Sequence, residues 1–163
     1  MKVTFKGNPV ELHGTEITVG RKAPDFAAVK NDMSGFCLNS IPGRKLIISV
    51  PSIDTPVCDA EVRRFNQEAA NIDGVTIITI SMDLPFAQAR WCGAAGIDKV
   101  MTISDYKERN FAMKYGVYMP ELGLLARAVF LLDEDNMVLY SEYVPEVTDE
   151  PNYKAILEAI KKA

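Results

Sequence analysis

Histidine is nearly absent from this chain, with His13 as its only representative. Cysteine is scarce too: Cys37, Cys58 and Cys92 are the full set. A zinc site would need nearly all of these residues, and their spacing fits no compact ligand motif. Three cysteines are also too few, and odd in number, for a disulfide scaffold. In a reducing compartment a cysteine pair is catalytic or redox-active more often than structural. No apolar run approaches the ~20 residues needed to cross a bilayer. No long basic run occurs and the net charge is -4, which argues against nucleic acid as a partner. Met1–Phe5 lacks the charged and apolar regions of a signal peptide, which predicts a cytoplasmic protein. Repeats, low-complexity stretches and linkers are missing as well. With 163 residues and 48% hydrophobic content, the expectation is one domain over 1–163 with a sizeable core.

What is present is an alternation of element types. Val3–Phe5 and Val10–Leu12 read as a hairpin around a Gly7-Asn8-Pro9 turn. Gly14 breaks it, and Ile17–Val19 reads as another short strand. Pro24-Asp25-Phe26 opens an extended segment. Leu46–Val50 is a buried-strand run, followed by a loop with Pro51 and Pro56 at its ends. From Cys58 or Asp59 to about Ala70 the pattern is helical, with Val62, Phe65, Ala69 and Ile72 on one face. Gly74 stops it. Val75–Ile80 is a second buried strand. Pro85–Cys92 reads as a helix with Pro85 in its first turn and Gly93 past its end. Val100–Ile103 reads as a strand and Lys107–Tyr115 as a short helix. Ala128–Leu132 and Val138–Tyr143 form a hairpin around Asp133–Asn136. Asn152–Lys161 is an amphipathic helix with Tyr153, Ile156, Leu157 and Ile160 on one side. This order predicts an α/β fold with a mixed central sheet flanked by helices and an N-terminal β-hairpin.

The most informative segment is Pro51-Ser52-Ile53-Asp54-Thr55-Pro56-Val57-Cys58. It leaves a buried strand and runs into a helix, so Cys58 falls near a helix N-terminus. Unpaired backbone N–H groups and the positive end of the dipole favour a thiolate there. Thr55 lies one turn upstream, within reach of the sulfur. The two prolines restrict the loop. Pattern alone also allows a plainer reading, in which Cys58 is a small buried residue and Thr55 simply caps the helix.

The motif P-x-x-x-T-x-x-C, here Pro51, Thr55 and Cys58, resembles the peroxiredoxin active-site signature. The strings PSIDTPVC and then SMDLPFAQARWCG resemble the bacterial thiol peroxidase subfamily of atypical 2-Cys peroxiredoxins. GLLARAVFLLDEDN and the early GNPV also fit, so the resemblance covers nearly the whole chain. It implies a thioredoxin-like fold and an enzyme that reduces hydrogen peroxide and organic hydroperoxides in antioxidant defence. Cys58 resembles the peroxidatic cysteine, Thr55 its hydroxyl partner and Pro51 the proline that shields the site. Arg127 resembles the active-site arginine and Cys92 the resolving cysteine. An intramolecular Cys58–Cys92 disulfide, thioredoxin as reductant and a homodimer are likewise implied, with no metal, haem or flavin. Cys37 matches no functional position and is read as structural.

Thiol acidity alone cannot make such an enzyme fast. At an ordinary pKa near 8.5, about 3% of a cysteine is thiolate at pH 7. Lowering the pKa to about 6 raises that about 30-fold, but the weaker nucleophile loses about tenfold. The larger contribution must come from donors aimed at the stretching O–O bond. Arg127, the Thr55 hydroxyl and the N–H groups near Cys58 suit that role, although on pattern alone Arg127 is a surface ion pair at a strand start. Cys92 on pattern alone packs beside Trp91 and Phe86. A bridge to it needs α-carbons within about 7 Å, so helix ends are expected to unwind during turnover, helped by Gly93 and Gly96. The competing readings are a thioredoxin-like disulfide oxidoreductase, a Cys–His hydrolase using His13, and a non-enzymatic binding module. The first lacks C-x-x-C, since Thr55 stands where its first cysteine would be.

Overall fold

A computed structural model describes residues 1–69 and 72–163, so the expected helix end at Ala70 and the side chain of Ala69 lie outside the described residues. Strands β1 (Lys2–Phe5) and β2 (Asn8–Glu11) form the expected N-terminal hairpin. Its turn is Lys6–Gly7, not Gly7-Asn8-Pro9, and both residues have positive φ, 50° and 81°. That pair of angles matches the twist of a two-residue hairpin and places Pro9 in a strand with a free edge. Ile17–Val19 forms no strand. Side chains hold Ile17 instead: its N–H donates to the Tyr143 hydroxyl at 2.8 Å, and its carbonyl accepts from Ser141 at 2.8 Å.

The central sheet draws on β3 (Ala27–Lys30), β4 (Gly35–Cys37), β5 (Arg44–Ser49), β6 (Val75–Ser81) and β7 (Val100–Ser104). A short pair, β8 (Tyr118–Met119) and β9 (Leu124–Leu125), lies apart from it. The hairpin β10 (Ala128–Leu132) and β11 (Val138–Tyr143) completes the seven-stranded order β11-β10-β5-β6-β7-β3-β4. The three middle strands β5, β6 and β7 are parallel, and the flanking pairs are antiparallel. This is the mixed sheet that the sequence predicts.

Strand alternation divides the core into two layers. Leu46, Ile48, Val129 and Leu131 face one side, where α1 (Pro56–Ala69) contributes Val62 and Phe65. There α4 (Tyr153–Lys162) adds Tyr153, Ile156 and Ile160. Ile47, Ile78, Phe130 and Leu132 face the other side, against the N-terminal hairpin and α3 (Asn110–Lys114). The parallel strands are covered on both faces, which explains their unbroken runs of apolar residues.

Helix α2 (Pro85–Ala95) runs past Cys92, and Gly96, at φ 68°, ends it in place of Gly93. Helix α3 starts at Asn110, later than the expected Lys107. Strands β4, β8 and β9 were not expected, because two or three residues are too few for a period to show. Among the described residues, no helix is long and apolar enough to cross a membrane.

Close approach to backbone dictates glycine at Gly14 and at Gly116. Gly14 has φ 112°, and a Cβ placed there would sit 2.3 Å from the Met113 carbonyl oxygen. Gly14→Ala is expected to destabilise the fold by about 2–3 kcal/mol, through overpacking and an unfavourable φ. Urea denaturation checks this, and an unchanged midpoint would refute it.

Candidate active site

Strand β5 ends at Ser49, and the chain turns through 50–55 into α1. Proline is favoured in the first helical turn, because its missing N–H has no helical acceptor to lose. Pro56 accordingly opens α1, so Cys58 lies inside its first turn. The Cys58 N–H donates to the Thr55 hydroxyl at 3.1 Å, and the Asp59 N–H to the Thr55 carbonyl at 2.9 Å. Thr55 is therefore the N-cap, as the plainer reading has it. Its hydroxyl also lies 3.4 Å from the Ser52 carbonyl, a long bond. Pro51 is buried and Cys58 has no exposed surface.

Arg127 immediately precedes β10, which pairs with β5 so that Ala128 lies opposite Ser49. The Ser49 hydroxyl donates to the Ala126 carbonyl at 2.8 Å and ties the two strand ends together. This register delivers the guanidinium to the sulfur: Arg127 Nη2 lies 3.1 Å from Cys58 Sγ. Nε donates to the Val147 carbonyl at 2.8 Å, and Nη1 is bonded to the Glu61 carboxylate. Arg127 is 2% exposed, so the surface ion pair allowed by pattern is in fact a buried one. Burial works against the charged guanidinium, but Glu61 and the Cys58 sulfur outweigh it and push Arg127 above its usual range.

Sequence reasoning missed Glu61. It lies three residues after Cys58 on the buried face of α1, beside Val62, and is fully covered. A carboxylate on an otherwise apolar face was the available signal. Burial pushes its carboxyl up to about 7, against the pull of Arg127, with Glu150 and Glu142 adding to the rise. Among the described residues its Oε1 has no hydrogen-bond partner.

The segment carrying Val147 is braced from the N-terminus. Glu146 accepts from the Thr4 hydroxyl at 2.9 Å and from the Gly7 N–H at 2.8 Å, and the Val147 N–H donates to the Thr4 carbonyl. Hydrogen bonds from Thr148 and Gly7 hold this half-buried carboxylate down at about 2. The hairpin thus supports the carbonyl that orients Arg127.

Cys92 is half-buried, with Sγ 3.3 Å from the Thr102 hydroxyl. Thr102 donates its proton to Asn31, which leaves the Cys92 thiol as donor. Trp91 is half-buried beside it, but Phe86 is 67% exposed, so the expected packing of Cys92 against Phe86 does not hold. Helices α1 and α2 meet through Trp91, whose indole N–H donates to Asp59 at 3.3 Å under the Arg63 guanidinium. All three cysteines are free thiols. Cys37 is exposed on β4 and donates to Asp25 at 3.0 Å, a bond that pushes its thiol up and works against a nucleophilic role. His13 is exposed and pairs through its backbone with Tyr118.

The structure thus sets a buried sulfur at a helix start against a buried arginine, with a second thiol on the neighbouring helix α2. Residues 18–157 match the model of the Redoxin family, and the chain belongs to that family. It is 56% identical over 161 residues to the thiol peroxidase of Bacillus subtilis (strain 168), covering 98% of this chain and 96% of that protein. It is 54% identical to the thiol peroxidase of Clostridium acetobutylicum, covering 100% and 99%. Among solved structures, a peroxiredoxin-like protein from Aquifex aeolicus superposes with TM-score 0.93 at 42% identity, covering 99% of this chain and 96% of that one. Thiol peroxidase from Chromobacterium violaceum, at 24% identity and TM-score 0.92, shares the fold, with 99% and 96% covered. The fold is thioredoxin-like, and the enzyme is a thiol-dependent peroxidase of the peroxiredoxin type.

Glu61 makes stability pH-dependent. Its folded pKa of about 7 lies above the ordinary 4.5, so the native state holds this proton more tightly than the unfolded chain. Its contribution is complete below pH 4.5 and is lost as pH rises toward 7. Wild type should therefore lose stability across that window, on the order of a few kcal/mol, relative to Glu61→Gln. Urea melts of both proteins at several pH values measure the difference, and a flat difference would refute the assignment.

Proposed function

We propose that Cys58 is the peroxide-attacking residue, acting with Arg127, Thr55 and Pro51, and that Cys92 resolves the oxidised product. The observation that carries this reading is the 3.1 Å contact from Arg127 Nη2 to Cys58 Sγ, with the other guanidinium nitrogens anchored to Glu61 and Val147. A guanidinium fixed in this way cannot swing away, and its fork suits the charge that builds on a departing oxygen.

The Cys58 thiolate attacks one peroxide oxygen in line. The S–O bond forms as the O–O bond breaks, and the second oxygen leaves as hydroxide or alkoxide and takes up a proton. Cys58 becomes a sulfenic acid. Arg127 stabilises the developing charge. The Thr55 hydroxyl has only its long bond to Ser52 to give up, so it can turn to the substrate. The Cys58 N–H, in contrast, is already taken by Thr55. Because Cys58 is fully covered, the loop bearing the buried Pro51 must shift slightly to admit a peroxide.

The Cys92 sulfur then attacks the Cys58 sulfur. The S–S bond forms, the S–O bond breaks, and hydroxide departs with the Cys92 proton as water. This needs Cys92 to leave Thr102 and Cys58 to leave Arg127, so part of each helix must unwind. Thioredoxin is the proposed reductant, acting by thiol–disulfide exchange with hydrogen peroxide and organic hydroperoxides as substrates. The proposed working form is a cytoplasmic homodimer of one-domain subunits. Three cysteines, too few for a disulfide scaffold, suit a reducing compartment, and the exposed apolar Leu84 and Phe86 suit a subunit contact.

Peroxide consumption coupled to a thioredoxin system tests the reading: wild type should turn over and Cys58→Ser should not. Thr55→Val and Arg127→Ala should each slow single-turnover oxidation by ~100-fold, the scale of one lost transition-state donor. Wild-type speed in both would refute the account of the rate. Because Arg127→Ala also leaves Glu61 unpaired, its folding is checked by circular dichroism. Cys92→Ser should consume one equivalent of peroxide and then stall. Peptide mapping of oxidised wild type should find Cys58 joined to Cys92, whereas a bridge to Cys37 would overturn the resolving role.

A further inference from the structure

Asp83 lies between β6 and α2, two residues before the helix that carries Cys92. It is half-buried and belongs to neither cysteine's immediate surroundings. Its carboxylate nevertheless reaches into the loop ahead of Cys58. Oδ1 accepts from the Ser52 hydroxyl at 2.7 Å, and Oδ2 accepts from the Ile53 N–H at 2.9 Å. Oδ2 also accepts from the Ser81 hydroxyl at 2.7 Å. Ser81 in turn accepts from the Gln88 side-chain amide at 3.0 Å, and that amide also donates to the Ile103 carbonyl at 2.7 Å. Gln88 is the fully buried polar residue on α2. One chain of hydrogen bonds therefore runs from the loop before Cys58, through Asp83, to the inner face of the helix bearing Cys92.

We propose that Asp83 is a positioning residue that couples the two cysteine-bearing segments, holding them in the assembled form that attacks peroxide and delaying their release for disulfide closure. The inference rests on the reading of Cys92 as the resolving thiol. The two steps need opposite geometries. Peroxide attack needs the loop and α1 in place, so that Cys58, Thr55 and Arg127 converge. Disulfide closure needs the same loop and α2 to let go. Bonds to an ionised acceptor favour the assembled state and are lost in the open one. Asp83 thus sets how long Cys58 sulfenic acid waits, which is also the interval in which a second peroxide can oxidise it to sulfinic acid.

Asp83→Asn keeps the shape but offers one acceptor oxygen in place of two, and turns N–H donors toward groups that are themselves donors. The experiment is rapid mixing of reduced enzyme with hydrogen peroxide, quenching with a thiol-alkylating reagent, and mass spectrometry of Cys58 and Cys92. It yields the rate of Cys58 oxidation and the rate of disulfide closure separately. Losing one such bond should raise the closure-to-oxidation ratio by about tenfold. The sulfinic fraction at high peroxide should fall severalfold. Ser52→Ala, which removes a single bond to Asp83, should move the ratio in the same direction by less, and keeps the test available if Asp83→Asn folds poorly. Simple loss of structure would slow both steps together and leave the ratio unmoved, which would overturn the proposal. A wild type that forms no Cys58–Cys92 disulfide would instead overturn the role of Cys92, and this inference with it.

Discussion

A guanidinium buried beside a sulfur is the constraint on which the site depends. Taking a charge out of water is costly unless it is paired and its hydrogen bonds are made. Arg127 meets that condition with Glu61, the Val147 carbonyl and Cys58. These partners come from α1 and from the segment after β11, so the arginine is satisfied only when both are docked on the sheet. The same requirement gives Glu61 its raised pKa, because its carboxylate is as deeply covered as the cation it faces. The pair is weak support for stability as such. It does fix where the donor fork points, and that direction is what peroxide chemistry needs.

The scaffold explains why these groups can converge. In a sheet with parallel central strands, loops at the carboxyl ends of the strands gather on one edge. The β5–α1 loop carries Thr55 and leads to Cys58, and the β6–α2 loop carries Asp83. Strand β10 runs antiparallel beside β5, so its first residues, not its last, lie at that edge. Arg127 is therefore placed by register, and the Ser49–Ala126 bond pins that register beside the site. The N-terminal hairpin lies far away in sequence, yet it braces Val147 through Thr4 and Glu146.

Long periodic segments were legible from sequence because burial on both faces leaves a plain mark. The runs at Leu46–Val50 and Ile77–Ile80 lie in the core, as do Tyr153, Ile156 and Ile160 of α4, while Val75 and Leu157 sit half-buried at its edge. Helix ends were less legible. Gly93 reads as a stop, but it sits inside α2 and the left-handed position falls at Gly96. Within the site, the spacing of Pro51, Thr55 and Cys58 was visible because one loop carries it. Arg127 is 69 residues from Cys58 and needed the resemblance to be noticed. Glu61 is not legible because an acidic residue on a helix usually faces water, and the partner that keeps it buried comes from the distant segment just before β10. Asp83 was hidden for the same reason, since its bonds span 30 and 31 residues.

The attachments of α1 and α2 differ in kind, and that difference lets a fold hold a site and still release part of it. An apolar helix face embedded in a core resists detachment in proportion to the area it buries. Helix α1 is attached in that way through Val62 and Phe65, so beyond the first turn that carries Cys58 it stays docked, with Glu61 under Arg127. Helix α2 buries only Pro85 and Gln88 fully. Gln88 is held by hydrogen bonds to Ser81 and Ile103, which water can replace once the helix lifts. The Trp91–Asp59 bond and the Cys92–Thr102 contact are of the same replaceable kind. The Cys58 side is thus anchored chiefly by burial, and the Cys92 side by polar contacts together with the half-buried Trp91. Besides these bonds, α2 lays the half-buried Trp91 on the cluster around α1, so lifting α2 uncovers less apolar surface than lifting α1, whose Val62 and Phe65 are fully covered.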